Sequence, residues 1–402
     1  MSSMPRMLAI DLARLIALIG MMAAHLLAPF LETAWLETIT SGFPSTLFAV
    51  LGGFGVVFTT RRYLEAHQRI AATVAVATRG LVVAGIGVVM EAFPDHSIAV
   101  ILVYYGVTLV VGSFLILLPP LPLAILLSTL AIAGPLALPK IRQATQGWVS
   151  EGTLDYSSPH TLILSLFFTG IYPVVTWTVY LGVGIALARI FIHASTPGQR
   201  ITSAAIAAGI GATAVVLSEV VTRIRLAHIV PTLAQWNNTT DAAITQFFRE
   251  NAIGAPFSGG WNALLIATPH SGTTADIART GGGAIVLISF LTILCAYVVT
   301  VPVWLRPFAT LGSIPLTAYT LHIAMTAYSL FFYLRSLGLE GTWVPEYTRP
   351  FLATAFWWQL GILFVLALYL TIAGKRGPLE TLTSYISRKA AALVLPSSPL
   401  IR

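Results

Sequence analysis

The sequence predicts an all-α protein, a polytopic integral membrane bundle of about ten transmembrane helices. The chain is 56% hydrophobic and only 9% charged, and its mean hydropathy is +0.85. Because soluble domains carry about 25% charged residues, this composition excludes an ordinary soluble domain of 402 residues. The apolar residues also recur in runs of about 20, which is the length that crosses a bilayer as a helix.

Ten of these runs are predicted as membrane spans. Proline interrupts the span at 120–138, and the stretch from Gly170 to Pro173 predicts a broken helix or a re-entrant segment within the span at 161–190. The predicted spans are 7–30, 43–60, 73–92, 97–118, 120–138, 161–190, 201–222, 282–304, 311–334 and 351–373.

The distribution of lysine and arginine predicts the orientation of the bundle. Most of these residues fall in links on the same side as both termini, and basic residues favour the cytoplasmic side. The predicted topology is therefore N-in and C-in in the cell (plasma) membrane, with extracytoplasmic loops at 139–160, 223–281 and 335–350. Residues 1–374 form the transmembrane domain in this scheme. Residues 375–402 form a basic amphipathic tail, expected on the anionic inner leaflet.

The net charge of +7 raises the question of a nucleic-acid partner. The basic residues lie between apolar spans instead of forming a surface stripe, so they are explained by topology and no nucleic acid is expected. The bilayer is the expected partner. The sequence leaves a homodimer open.

Ionisable residues interrupt the first span. Asp11 and Arg14 are one helical turn apart, which is close enough for an ion pair. Arg14 and His25 differ by eleven residues, so they share a helix face to within about 20° and lie roughly 16 Å apart along it. Ionisable groups in a bilayer are expensive and mark functional sites. One helix face thus carries a cation near one membrane surface and an imidazole toward the other.

Three further polar residues are candidates for chemistry. His322 lies near the middle of a span, His270 lies in a loop between proline and serine, and Tyr105 enters the fourth span. Simpler interpretations stay open: a buried histidine can be a plain interhelical hydrogen-bonding group, Arg14 can extend to the headgroups, and His270 can be an ordinary loop residue. The sequence contains no His-Glu-x-x-His or paired Cys-x-x-Cys motif, and no metal site is predicted.

The predicted outer loops combine aromatic residues with amides and carboxylates. Trp148, Trp236 and Trp343 are examples, one in each long loop. Such a mixture suits a sugar-binding surface, because rings stack on apolar sugar faces while polar groups bind the hydroxyls. The same residues are equally typical of the aromatic belt of a membrane protein.

Six blocks resemble a known family when they are taken in order. These blocks are similar to uncharacterised actinobacterial membrane proteins grouped with the heparan-alpha-glucosaminide N-acetyltransferase catalytic domain, in the transmembrane acyltransferase superfamily. The resemblance implies transfer of an acyl group, in particular acetyl, from cytoplasmic acyl-CoA (acetyl-CoA) to an extracytoplasmic glycan or lipid-linked acceptor. The blocks are 10–25, 47–53, 100–106, 172–177, 269–274 and 316–322.

Within this resemblance, Asp11 and Arg14 match the Asp-x-x-Arg start of the family, and His25 matches the histidine of its bacterial members. Leu15 stands where the family usually has glycine. The lysosomal N-acetyltransferase of this family is thought to use a histidine in the loop after this helix. The present sequence has no histidine between Pro29 and Pro44. Direct transfer is therefore expected here instead of a covalent acyl-histidine.

The resemblance and the predicted layout together suggest a role for each residue. Asp11 and Arg14, with Arg79 or Arg306 at the inner ends of neighbouring spans, are expected to form the donor site, where guanidinium groups would bind the CoA phosphates.

Catalysis is assigned to the histidines and to a hydroxyl group. His25, together with His322 or His270, is expected to act as general base on the acceptor. Tyr105 is expected to stabilise the thioester oxyanion, with Tyr104 and Thr317 as alternative donors.

Two other functions fit some of the same features. Buried arginine and histidine residues and the break at 170–173 also suit a transporter or flippase for a lipid-linked glycan or small solute, although no inverted repeat is visible. A non-catalytic membrane scaffold is the third interpretation, and it leaves the face with Asp11, Arg14 and His25 without a use.

Overall fold

The computed structural model describes residues 7–27, 40–94, 98–250, 252–257, 259–339 and 348–395. Its regular elements are helices, and the described chain forms only one isolated β-bridge, between Gly152 and Gly170. The predicted all-α class is confirmed. The α-helices are α1 Leu8–Leu26, α2 Phe43–Glu65, α3 Arg69–Glu91, α4 Leu102–Leu115, α5 Pro120–Thr145, α6 Pro159–Leu164, α7 Val174–His193, α8 Pro197–Trp236, α9 Asp241–Arg249, α10 Asn262–Leu265, α11 Thr274–Leu294, α12 Arg306–Ser313, α13 Pro315–Ser336, α14 Arg349–Ala373 and α15 Pro378–Leu393.

Eight of the described helices are long and apolar enough to cross a membrane, and together they are compatible with a membrane bundle. They are α1, α2, α3, α5, α7, α8, α11 and α14. Helix α4 has 14 residues and is shorter than a straight span requires. Helix α13 has 22 residues, but its hydroxyl and imidazole side chains leave it without an 18-residue stretch as apolar as those in the eight.

The predicted break at Gly170 to Pro173 is confirmed. Helix α6 runs into a π-helical turn, Ser165–Thr169, and α7 starts only at Val174. The buried guanidinium of Arg142 donates to the carbonyl oxygens of Thr169 at 3.0 Å and Gly170 at 3.1 Å. A buried carbonyl without a partner is costly, so Arg142 stabilises the irregular backbone at this point.

Four predicted spans differ clearly from the structure. The span at 120–138 is not interrupted by proline, because α5 continues through Pro135 and ends at Thr145. The span at 282–304 is helix α11, which starts eight residues earlier because the Thr273 side chain caps it by accepting from the Asp276 N–H. The span at 311–334 is divided, because α12 ends at Ser313 and Pro315 begins α13. The span at 201–222 belongs to the 40-residue helix α8, which extends through the first part of the predicted loop at 223–281.

Close helix crossings hold the centre of the bundle together. Gly53 and Gly184 lie where α2 crosses α7, and a Cβ on Gly184 would collide with the backbone carbonyl of Val50. Small residues at such crossings let two backbones approach, which is how helices pack in a bilayer without a hydrophobic driving force.

The bundle has two chemically different ends. We call the end where α1 begins and α15 packs the basic end, defined by Arg14, Arg61, Arg79, Lys375 and Arg376. We call the opposite end the loop end, where α1 finishes and α11 begins, and where Tyr156 of the 139–160 segment donates to Glu91. The part of the 335–350 loop from 340 to 347, including Trp343, lies outside the described residues.

The predicted tail at 375–402 is integrated into the bundle as far as it is described. Ser387 of α15 donates to the carbonyl of Ala75 in α3, and Ala391 is fully buried in a small cluster with Tyr63 and Ala72. One face of α15 therefore packs on protein, and only its other face is available to a leaflet.

Candidate functional site

The basic end contains a cavity of about 530 Å³, a volume in the range of small-molecule sites. We call it the basic cavity. It lies between α1, the ends of α2 and α12, the middle of α3 and the tail. Its charged lining residues are Asp11, Arg14, Arg61, Arg79, Lys375, Arg376 and Glu380.

The cations of this cavity differ in how they are neutralised. Arg14 pairs with Asp11 at 3.5 Å, as predicted, and Arg61 pairs with Glu65 at 2.6 Å. In the described part of the chain, Arg79, Lys375 and Arg376 form no ion pair. Three cations thus face the cavity without a carboxylate partner, which favours an anionic ligand.

The basic cavity continues toward the centre of the bundle as a second cavity of about 260 Å³, which we call the throat. Arg14, Arg79 and Glu380 line both spaces. Beyond them the throat is bounded mainly by apolar side chains and by the ring of Tyr105. The combined space therefore changes from a charged mouth to an apolar interior.

Glu380 connects the tail to the helix that carries His322. Its Oε1 atom accepts from the backbone N–H groups of Leu316 at 2.8 Å and Thr317 at 3.1 Å, and its Oε2 atom accepts from the Thr317 hydroxyl at 2.5 Å. The first N–H groups of a helix have no partner within the helix, and a carboxylate there also complements the helix dipole. Glu380 thus caps α13 from the first turn of α15.

His25, in the last turn of α1, and His322 of α13 are brought together toward the loop end, and neither of them lines the throat. His25 Nδ1 lies 3.0 Å from His322 Nε2, and the two ring planes are nearly parallel, at 4°, with centroids 5.3 Å apart. His322 is fully buried, and its Nδ1 atom lies 2.7 Å from Oε1 of Gln359. Gln359 Nε2 donates in turn to the Thr326 hydroxyl at 3.1 Å.

This network fixes the direction of its protons. With Nε2 of Gln359 donating to Thr326, its Oε1 is an acceptor, so His322 Nδ1 carries the proton of that bond. A neutral His322 then accepts at Nε2 from the Nδ1–H of His25. With both rings neutral, the Nε2 atom of His25 is then the nitrogen without a proton.

His270 lies in a different place, in a cavity of about 20 Å³ at the loop end. Neither His25 nor His322 lines this cavity; Asp276 and Tyr172 do. Desolvation, with the charge of Arg279 as a smaller cause, lowers the pKa of His270 from 6.5 to about 4. This volume holds about one water molecule.

An aromatic chain separates the two cavities. Tyr105 in the throat packs edge-on against Trp177, Trp177 against Tyr172, and Tyr172 against His270, with ring centroids 6.3, 5.4 and 5.7 Å apart. Edge-to-face contacts of this kind are favourable and rigid. This row of rings therefore connects the wall of the throat to the wall of the loop-end cavity.

No protein-family model matches this chain, and a search of curated proteins finds no match. The function is therefore inferred from the arrangement of its own side chains.

The structure groups some of the predicted site residues and separates others. Asp11, Arg14 and Arg79 line the basic cavity together, and Tyr105 lines its throat. Arg306 lines a neighbouring lateral cavity instead. The oxyanion role suggested as an alternative for Thr317 is disfavoured, because its hydroxyl is bonded to Glu380.

Sequence reasoning did not assign a site role to five residues at the cavity and the histidine pair: Arg61, Lys375, Arg376, Glu380 and Gln359. The first three had been used only for topology. A signal for Glu380 is present in the sequence, since an acid in the first turn after Gly377-Pro378 is a typical helix-start residue.

Proposed function

We propose that this protein is a membrane-bound acyltransferase. It would take an acyl group, acetyl in the simplest case, from acyl-CoA at the basic end and deliver it to a glycan or lipid-linked acceptor at the loop end. The single observation that carries the proposal is that α1 and α13, which contribute Arg14 and Pro315 to the throat, bring His25 and His322 into contact further along the same two helices. The six sequence blocks that resemble the acyltransferase superfamily agree with it.

In this proposal the basic end is cytoplasmic, so both termini are inside the cell and the bundle lies in the plasma membrane. The eight long helices, together with α4 and α13, would make ten crossings. The excess of unpaired cations at the basic end supports this orientation, because basic residues concentrate on the cytoplasmic side.

The donor would bind with its phosphates in the basic cavity. Arg79, Lys375 and Arg376 are without carboxylate partners among the described residues and would contact the phosphates, while Asp11 holds Arg14 at the rim. The pantetheine arm is less polar and would occupy the throat. Its thioester would then lie near Tyr105.

The chemistry would be direct transfer. His25 Nε2 takes the proton from the acceptor hydroxyl or amine, the acceptor oxygen or nitrogen attacks the thioester carbonyl, and the carbon–sulfur bond breaks to release the CoA thiolate. Tyr105 would donate a hydrogen bond to the oxyanion. His322 follows the throat residue Pro315 by seven residues, about 10 Å along α13, so the acyl end of the donor would extend this distance beyond the throat to reach His25.

The test is transfer of radiolabelled acetyl-CoA by the purified protein in nanodiscs made with envelope lipid extract. The parent protein is compared with His25→Ala and with the matched control His160→Ala, an exposed histidine at the loop end. We expect label in glycan or lipid with the parent and the control, and loss of label with His25→Ala. Equal transfer by His25→Ala would show that His25 is not the base.

A transporter is the second candidate, and one observation favours it. The basic cavity and throat form a large space at one end, whereas the described loop-end cavity holds about 20 Å³, a difference expected of a pathway closed on one side. The same assay separates the two functions. A transporter leaves the thioester intact, whereas an acyltransferase consumes it.

A further inference from the structure

A lateral cavity of about 340 Å³ lies beside the basic cavity, between α1, α12 and the end of α14. Asp11, Thr310, Lys375 and Arg376 line both spaces, but Arg306 lines only the lateral one. Residues of α14, including Leu370, complete its wall. We call this space the lateral pocket.

The charge of the lateral pocket is positive. Arg306 donates from Nε to the carbonyl of Val301 at 3.2 Å, and within the described chain neither Arg306, Lys375 nor Arg376 forms an ion pair. Asp11 is the acid of the lining, and it already pairs with Arg14. An anionic group is therefore the complementary ligand.

Apolar residues surround these cations on the outer side. Val303 and Trp304 lie three and two residues before Arg306 and are 73% and 71% exposed, and Ile372 of α14 is 78% exposed. Exposed tryptophan beside basic residues is typical of the headgroup level of a bilayer. Binding of a water-soluble anion would not require exposed apolar side chains around the cations.

An apolar path leads from the pocket along the bundle. Phe308 of α12 packs against Phe364 of α14, with ring centroids 5.1 Å apart. Phe364 precedes the pocket residue Thr371 by seven residues, which places it about 10 Å further toward the bundle centre. Acyl chains could lie against this pair while a phosphate contacts the cations.

We propose that the lateral pocket binds the headgroup of an anionic phospholipid from the leaflet at the basic end. Arg306, Lys375 and Arg376 contact the phosphate, and the acyl chains lie along α12 and α14. This inference depends on the bundle lying in a membrane. It shares Lys375 and Arg376 with the proposed donor site, but it does not require acyl transfer. Basic pockets between membrane helices at the cytoplasmic surface bind anionic lipids by the same physics.

The experiment is native mass spectrometry of the full-length protein in a mild detergent. Dioleoylphosphatidylglycerol is titrated against dioleoylphosphatidylcholine without any acyl-CoA, so the result does not depend on the proposed enzyme activity. The variant is Arg306→Gln, and the matched control is Arg335→Gln, an exposed arginine at the other end of the bundle. Inorganic phosphate in large excess forms a separate arm.

We expect the parent and Arg335→Gln to prefer the anionic lipid, and Arg306→Gln to bind it about fivefold more weakly with unchanged phosphatidylcholine binding. Equal binding of the anionic lipid by Arg306→Gln and the parent would overturn the proposal. Full displacement of that lipid by inorganic phosphate would also overturn it, because the pocket would then be a free-phosphate site. If Arg306→Gln does not purify as a folded protein, Lys375→Gln is titrated with the same expectation.

Discussion

The imidazoles of His25 and His322 lie 3.0 Å apart, Nδ1 to Nε2, although 297 residues separate them in the chain. His322 is fully buried and His25 is partly exposed. The buried ring is held by Gln359, so it can orient the more accessible one. Their arrangement therefore suits a division of roles in which His25 contacts the substrate and His322 fixes the tautomer of His25.

Gln359 should matter for turnover without touching the donor. Gln359→Leu removes the acceptor of the His322 Nδ1–H, so the proton of His322 is no longer fixed and the preferred tautomer of His25 is lost. We expect kcat to fall about tenfold or more with an unchanged Kd for acetyl-CoA. Thr326→Val is the comparison, because it removes only the more distant hydrogen bond and should have a smaller effect. A normal kcat in Gln359→Leu would show that the hydrogen bonds from Gln359 through His322 do not orient His25 for catalysis.

Glu380 should stabilise the start of α13. Glu380→Ala leaves the Leu316 and Thr317 N–H groups without their acceptor, and we expect the free energy of unfolding to fall by about 1–3 kcal/mol. Hydrogen exchange at these two amides should accelerate. Glu380→Gln keeps an acceptor oxygen, so its free energy of unfolding should fall less and its amide exchange should accelerate less. Identical exchange in Glu380→Ala and the parent would show that the cap is not needed.

Arg79 should contribute to donor affinity. It lines both the basic cavity and the throat and has no ion pair in the described structure, so its removal costs a charge-assisted contact with the ligand. We expect Arg79→Ala to weaken acetyl-CoA binding about 10–100-fold by isothermal titration. Arg61→Ala should have a smaller effect, because Arg61 is paired with Glu65. A larger loss of acetyl-CoA affinity in Arg61→Ala than in Arg79→Ala would show that Arg61 is the more important donor contact.

The fold class and the position of the broken span could be predicted because they depend on local patterns. Hydrophobic runs identify spans, and a glycine and a proline three residues apart, at 170 and 173, indicate a break. Proline alone does not decide it, because Pro135 lies within the continuous helix α5. The predicted start of α11 was wrong because the helix includes a polar segment, with Asp276 and Arg279, that lies in the predicted loop at 223–281. These two side chains pair at 3.2 Å, which reduces their cost in an otherwise apolar helix.

The site was predictable only where its residues are close in sequence. Asp11 and Arg14 share one helix, so their pairing follows from helical geometry. The contact between His25 and His322 requires two helices to pack, and the cap of α13 by Glu380 requires a tail to fold back. No local rule relates residues that are tens or hundreds of positions apart, so His322 was found as a polar anomaly and Glu380 was missed.

His270 should make the protein less stable in mild acid. Because its pKa is lowered from 6.5 to about 4, the folded state favours the neutral ring, and the unfolded chain binds more protons between these values. The free energy of unfolding should therefore fall as the pH drops from 6.5 through 4, by at most about 3 kcal/mol from this group.

The variant for this test is His270→Asn. Asparagine tolerates the left-handed backbone of His270, where φ is 58°, and it does not titrate. Thermal unfolding against pH should show a flatter dependence for His270→Asn, and no such change for the exposed control His160→Asn. A parallel dependence in His270→Asn and the parent would assign the acid sensitivity to another group.

Gly184 should be essential to the crossing of α2 and α7. A Cβ at this position would meet the Val50 carbonyl, so Gly184→Ala must push two backbones apart, and we expect a loss of about 1–3 kcal/mol or more in the free energy of unfolding. Gly209→Ala is the matched control, because nothing lies within 4 Å of its Cβ position. Within a helix that change alone should stabilise by about 0.5–1 kcal/mol. Unfolding in detergent measures the free energy of unfolding of both variants. A change of the same sign in Gly184→Ala and Gly209→Ala would contradict the close crossing.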